Sequence, residues 1–240
     1  MNSNYLTISH ASKILNVSID TLRRWDKKGK LKAVRHKDDG YRYYSKEIIE
    51  LYLKDIFALA KKWMLGSPIL PESEFYCPDS LVFKARLSRL ENDLSKITEV
   101  EDIFPLITAI VGEIGNNSYD HNLGNWPDIR GIFFAYDLNK KQIVLADRGR
   151  GILETLRKVK PELKNDKEAL MVAFTEVISG RAPEARGNGL KFVKQVVSDN
   201  QFDLNFYTGD AKLHIKQGTK ILNIKNNEIY YNGCISLIKY

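Results

Sequence analysis

Between Ile8 and Tyr44 two short helical periods, a tight turn and a hairpin signal follow one another without a gap, and few folds accept that order. Ile8, Ala11, Ile14 and Leu15 keep helical spacing, with Thr7 and Ser9 as candidate N-caps. Asn16-Val17 makes a tight turn, and Ser18 caps a second run that ends at Gly29. In that run Ile19, Leu22 and Trp25 face inward while Arg23, Arg24, Lys27 and Lys28 face out. Two short helices joined in this way make a helix-turn-helix. Residues 31–36 and 41–44 are β-prone and flank Lys37-Asp38-Asp39-Gly40, a hairpin signal that reads as a wing, with Tyr41, Tyr43 and Tyr44 expected to pack. Residues 46–65 then read as one amphipathic helix with Ile49, Leu53, Ile56, Ala60 and Trp63 on a broad apolar stripe, ending at Gly66.

Charge separates this segment from the rest. Of 37 Lys+Arg and 30 Asp+Glu, residues 1–66 hold 14 and 7, and the remainder holds 23 of each, so the whole excess of +7 lies in the first quarter. A basic module on a neutral one reads as a polyanion-binding head on a body with another task, nucleic acid being the commonest polyanion; a lysine-rich solvated surface is the alternative. No window approaches 18 uncharged apolar residues, and the start MNSNYLTISH has neither a basic lead nor an apolar core, so the expectation is a cytoplasmic protein with no membrane partner. Cys77 and Cys234 lie far apart without ligand-spaced neighbours, which speaks against a disulfide framework or a zinc site.

Residues 67–78, SPILPESEFYCP, carry three of the seven prolines and no period, and read as a linker to a second domain over 79–240. Beyond it, helices are expected near 80–96, 102–122 (with Pro105 in the first turn), 166–178 and 189–199. Strands are expected at 129–136, 142–146, 204–208, 211–216, 221–225 and 234–238. The fold class is α+β: an N-terminal winged helix-turn-helix over 1–66, then an α/β sandwich with a mixed sheet and helices on one face.

Helix 102–122 places Glu113, Asn117, Asp120 and His121 on a polar face opposite Ile107, Ile110, Val111 and Ile114. Carboxylate, amide and imidazole on one face suit a hydrated Mg²⁺ and phosphates, although a charged helix face is ordinarily just solvated. At the end of an apolar strand comes Asp147-Arg148-Gly149-Arg150-Gly151, where a carboxylate can accept from an exocyclic amine and glycines let a ring approach the backbone. Arg186-Gly187-Asn188-Gly189-Leu190 then opens a helix, turning free amides toward an anion.

Two resemblances follow. The run YLTISHASKILNVSIDTLRRWDKKGKLKAVRHKDDGYRYYSKEII resembles the DNA-binding domain of MerR-type regulators, and its TLRRWDKKGKL core is also similar to the head of accessory proteins of serine-recombinase transposons. The resemblance implies double-stranded DNA as partner, Arg23 and Arg24 facing base edges, Arg42 as a wing phosphate contact, and Ser18 and Thr21 in the contact set; by position alone, Lys27, Lys28 and Lys30 at the helix end are placed for phosphates and Arg42 for backbone or the minor groove. A helix-turn-helix used only for protein contacts is the alternative. The long dimer coiled coil of that family is missing, and the 46–65 helix is expected either to make a homodimer or to dock on the body.

The second resemblance rests on E-x-x-x-N-x-x-x-H, D-x-G-x-G and G-x-G-L in this order, which is similar to the GHKL ATPases, among them gyrase, histidine kinases and anti-sigma kinases. It implies ATP and Mg²⁺ as cofactors in a GHKL sandwich. Asn117 would hold the metal, Glu113 would orient or deprotonate water, and Asp147 would bind the adenine amino group. Gly149 and Gly151 would shape the adenine pocket, Gly187, Asn188, Gly189 and Leu190 would hold phosphates, and Thr219 would make a last contact. It also implies Asp120 and His121 at the nucleotide, and a lid over 152–186 with Arg181 and Arg186 closing on the phosphates. No histidine lies between residues 46 and 112, against a cis-acting histidine autokinase, and only 21 residues follow Thr219, against a transducer-bearing machine. Three functions stay open: a DNA-binding regulator switched by Mg-ATP binding and hydrolysis, an anti-sigma-type serine/threonine kinase tethered to DNA with a partner protein encoded nearby, and a non-hydrolysing ATP-binding module.

Overall fold

The computed structural model describes residues 4–29, 31–35, 40–177 and 188–240. Their contacts divide the chain into two units, Met1–Leu59 with Asp137–Gln142 and Ala60–Tyr136 with Ile143–Tyr240.

The first unit starts with a strand the periodicity did not announce, Tyr5–Thr7 (β1). Helix Ile8–Leu15 (α1) follows, with the Thr7 side chain accepting from the His10 amide at 3.3 Å. It stops at Asn16, whose φ of 51° is left-handed, and there the Ser12 hydroxyl donates to the Val17 carbonyl at 2.6 Å. Ser18 accepts from the Thr21 amide at 3.1 Å and opens Ile19–Lys27 (α2), with Asp20 in its first turn and Arg24 and Lys27 in its last, each matched to the helix dipole. Strands Val34–Arg35 (β2) and Arg42–Ser45 (β3) complete an antiparallel sheet ordered β1-β3-β2, pairing Leu6 with Tyr44 and Val34 with Tyr43.

Ala11, Leu22, Leu31, Tyr44 and Ile49 are its buried core, and Leu6, Ile8, Leu15 and Trp25 pack around them. The Tyr44 hydroxyl donates to the Leu22 carbonyl at 3.3 Å, tying wing to helix. Two expectations change. Ile14 is 47% exposed because Ile8, Ala11 and Leu15 take the inward stripe of so short a helix, and Tyr41 is 71% exposed. Lys30 and the hairpin tip 36–39 lie outside the described residues.

The expected 46–65 helix is two helices, Lys46–Leu53 (α3) and Ile56–Leu65 (α4). Lys54 is extended, and Asp55 Oδ1 accepts from the Phe57 and Ala58 amides at 3.1 and 3.0 Å, a local cap that competes with helix continuation. The stripe is divided accordingly: Ile49 belongs to the first core, Ala60 and Trp63 to the second unit, and Leu53 is 55% exposed.

The second unit holds a five-stranded sheet of Tyr76–Cys77 (β4), Ile132–Asp137 (β5), Gln142–Asp147 (β6), Asp203–Lys216 (β7) and Ile224–Lys239 (β8), ordered β4-β5-β6-β8-β7. Its helices are Ser80–Leu94 (α5), Phe104–Asn122 (α6), Gly151–Arg157 (α7), Asp166–Thr175 (α8) and Gly189–Asp199 (α9). Helix α5 packs on α6, α6 on α9, and α7, α8 and α9 against β7. Gly115 lets α6 approach α5 closely, since a Cβ there would enter the Phe83 ring.

Strands β5 and β6 are almost wholly buried, so both faces of the sheet centre are covered. Consecutive Phe134 and Phe133 point to opposite faces. Phe134 meets the Phe83 ring edge-on at 5.3 Å, whereas Phe133 meets Phe75 at 5.1 Å and Trp63 at 6.2 Å. Residues 67–78 are therefore no linker: Phe75 seals the sheet, Tyr76 and Cys77 pair with β5, and the second unit begins at Ala60. The four short strands expected after residue 200 are two long ones, with register shifts on either side of Gly209. Of the stretch 152–186 expected as a lid, the described part holds α7 and α8, the latter close to the helix expected at 166–178, around a core of Leu156, Leu163, Ala169 and Val172, and 178–186 lie outside the described residues.

Candidate functional site

Two places gather the residues singled out in the sequence. In the first unit, Arg23, Arg24, Asp26, Lys27, Arg35 and Arg42 line one shallow recess, five cations around a single carboxylate. Arg23 is held by Asp20 at 2.9 Å, and Arg24 donates to Thr21 Oγ1 at 3.3 Å, so both side chains are oriented by the first turn of α2 while remaining exposed. Ser18 and Thr21 are occupied with capping that turn. Lys28 is exposed at the end of α2 but outside the recess.

Arg42 departs from the expectation. Its Nε donates to Asp26 Oδ2 at 2.6 Å, and only 29% of its side chain is exposed, so it is engaged inside the unit rather than standing free for a phosphate. Asp26 also accepts from the Ala33 amide at 3.0 Å and from Arg35 at 3.5 Å. Burial alone would raise its pKa, yet the Ala33 amide and the Arg42 and Arg35 guanidiniums outweigh it and hold the carboxyl below its ordinary range.

In the second unit, a cleft with about 780 Å³ of empty space, counting its open mouth, is lined by α6, the start of α7 and the start of α9. Ile114, Asn117, Ser118, His121 and Asn122 form the α6 wall, a stripe at i, i+3, i+4, i+7 and i+8. The face read from the sequence is displaced from it by about one residue. Hence Asn117 and His121 reach the cleft, and Asp120 is exposed outside it.

Asp147 lies at the cleft base, 2% exposed. Its Oδ2 accepts from Ser118 Oγ at 2.8 Å, and its Oδ1 from the Gly149 amide at 2.9 Å and Asn122 Nδ2 at 3.5 Å. Burial raises its pKa to about 6 against these hydrogen bonds and one from the Cys234 amide. Gly149 is required where it stands, because a Cβ there would run into the Asn122 amide. Asn122 Oδ1 accepts from the Arg150 amide at 2.9 Å, so one side chain holds both ends of the turn. Gly151, at φ 73°, opens α7 against Thr208 Oγ1, which accepts from the Ile152 amide at 3.3 Å.

Gly189 and Leu190 line the same cleft, and a Cβ at Gly189 would lie 2.5 Å from Glu113 Oε2 and 3.5 Å from Asn117 Nδ2. Glu113, Asn117 and the start of α9 are therefore neighbours. Asn188 is the N-cap residue of α9 but makes no side-chain cap bond. Burial, and then Lys158, hold His121 below the usual imidazole range, and its buried Nδ1 has no partner among the described residues. Thr219 is not at the cleft: it closes the turn after β7, its hydroxyl accepting from the Lys216 amide at 3.1 Å. Arg181, Arg186 and Gly187 lie outside the described residues.

Sequence reasoning missed Ser118, Asn122, Thr208 and Cys234 around Asp147, and it missed Arg148. Cys234 is half-buried, and desolvation of its thiol raises the thiol pKa well above its ordinary value. Arg148 is 7% exposed. It donates to the Trp63, Met64 and Gly66 carbonyls at 2.6, 3.1 and 3.0 Å, and to Asp128 through Nε and a terminal nitrogen. The one available signal was two arginines flanking a glycine behind an aspartate. Among the described residues no three His, Cys, Asp or Glu side chains are grouped to hold a metal, and no helix is long and apolar enough to cross a membrane.

Comparison with known proteins finds two likenesses. A stretch of 57 residues is 39% identical to the Type II methyltransferase M.Eco47II of Escherichia coli, covering 24% of this chain and about 14% of the length of that relative. Residues 7–44 match the family described as MerR family regulatory protein, the span that holds α1, α2, the wing and the Asp26 recess. This part of the chain is a MerR-family helix-turn-helix domain.

Proposed function

We propose that the protein is a DNA-binding regulator whose second unit binds Mg-ATP in a GHKL-like cleft, and that nucleotide binding and turnover shift its affinity for double-stranded DNA. The observation that supports the nucleotide reading is the buried Asp147 at the base of a cleft whose other walls bring Asn117, Gly151, Gly189 and Leu190 together. Apolar walls from Ile114, Ile152, Leu156 and Phe206 suit the faces of a planar heterocycle, and the carboxylate suits its exocyclic amine. Bound magnesium supplies charge neutralisation for the phosphates. Asn117, on the cleft wall, would be the oxygen ligand this chain offers it. Glu113, beside Gly189, is the base that orients water.

On the DNA side, Arg23 and Arg24 read base edges from α2, and Lys27 and Lys28 contact phosphates. ATP moves DNA affinity only by its own differential affinity for the two states, and DNA must shift ATP affinity by the same factor. The test is DNA binding by the full chain to its own upstream region with no nucleotide, with Mg-ADP and with a non-hydrolysable Mg-ATP analogue, at two fixed salt concentrations. A nucleotide-dependent affinity is expected. Equal affinity in all three overturns the switch and leaves DNA binding as a tether.

A further inference from the structure

Asp26 stands where an anion is least welcome. It is at the C-terminal end of α2, where the helix dipole disfavours negative charge, and it lines a recess otherwise made of Arg23, Arg24, Lys27, Arg35 and Arg42. On a surface that meets phosphates it repels the ligand and neutralises part of the attracting field. Yet its side chain is only 12% exposed, and its hydrogen bonds reach three successive parts of the wing: the Ala33 amide before β2, Arg35 in β2 and Arg42 in β3.

We infer that Asp26 is a positioning residue that fixes the wing to the recognition helix, and so raises the preference for specific over random DNA at the expense of total affinity. The inference rests on the DNA-binding reading. Major-groove contacts from α2 and backbone contacts from the wing can be made together only if their spacing matches the duplex, and the carboxylate sets that spacing. Arg42 accordingly works through Asp26. Breaking the pair loosens the register while releasing a cation to any phosphate within reach.

The experiment uses the full chain and duplexes enriched by it from a random-sequence pool, with an unselected duplex of the same length as reference. Asp26→Asn keeps an acceptor for the Ala33 amide and removes the charge. It should bind unselected DNA more tightly, with a steeper salt dependence, while the enriched-to-unselected ratio falls about tenfold, the scale of one charge-assisted hydrogen bond. Arg42→Gln should lower the ratio similarly, and the double variant should lower it no further than either alone. Equal tightening on both duplexes with the ratio intact would overturn the inference and leave Asp26 as a charge only; additive losses in the double variant would overturn the link through Arg42. If the unaltered chain enriches nothing from the pool, the DNA reading itself fails. Unfolding of each variant is followed in parallel, and a variant that binds neither duplex is replaced by Asp26→Glu, which keeps the charge and should restore the ratio in part if the reasoning holds.

Discussion

Replacing Arg148 with Met removes one side chain and leaves several groups without their partner. Asp128 keeps a carboxylate that was paired with Nε and a terminal nitrogen, and three main-chain carbonyls at the end of α4 lose a charged donor. Breaking a buried ion pair from one side costs about 3–5 kcal/mol. The lower end applies here, because Asp128 is 30% exposed and water can reach it. Met fills a comparable volume and keeps contact with the Trp63 ring, 5.9 Å from the guanidinium carbon, so the loss is electrostatic rather than a cavity. The expected change is about 3 kcal/mol, with Arg148→Lys about half as damaging because one ammonium cannot span the carbonyls and Asp128 together. Urea unfolding, followed by Trp63 emission in a chain whose Trp25 and Trp126 are Phe, measures it as a shifted midpoint at constant slope. A loss below about 1 kcal/mol would refute the reasoning, since that is the worth of an exposed pair.

Further outcomes follow from the same geometry. Asp147→Asn should abolish binding of an ATP analogue; in the unaltered chain that binding should weaken about tenfold from pH 7 to pH 5 as a carboxyl of pKa about 6 is protonated, and calorimetric titration at the two pH values checks it. Because its folded pKa is raised above the ordinary 3.8, Asp147 contributes stability that is complete below about pH 4 and lost as pH rises through 6, so unfolding of Asp147→Asn should lack that decline. Glu113→Ala should keep analogue binding and lose turnover, and unaltered phosphate release would remove Glu113 as the base. Arg23→Ala and Arg24→Ala should each weaken specific DNA binding by about 1–3 kcal/mol if they read bases, and a gel shift indifferent to both would place the interface elsewhere.

The parts of the fold that local chemistry decides were legible. Thr7 and Ser18 as caps, Gly29 as a stop and Asp147-Arg148-Gly149 at a strand end stand where the residue types alone put them. Periodicity was blind where two local rules compete. Ile49, Leu53, Ile56, Ala60 and Trp63 keep a helical period straight through Lys54-Asp55, but the Asp55 carboxylate takes the amides of the next turn and starts a new helix. The prolines at 68, 71 and 78 do interrupt helix, yet the burial of Phe75 and Cys77 depends on a strand more than fifty residues away, and nothing nearby announces it. In the cleft, Asn117 and His121 could be named from residue type. Ser118 and Asn122 could not, because the rotation of α6 about its axis is set by its packing on α5 and α9.

The break at Lys54-Asp55 also says where this chain can be divided. A cut among the prolines, the obvious choice from composition, would take Trp63 and Met64 away from the sheet and strip Arg148 of its carbonyl partners, exposing one face of Phe133. A cut between Lys54 and Asp55 interrupts neither helix and leaves α4 intact with its own cap. Such a cut still parts the first unit from residues 55–59 and 137–142, which cluster with it, so a head exchanged at that point has to bring its own cover for both.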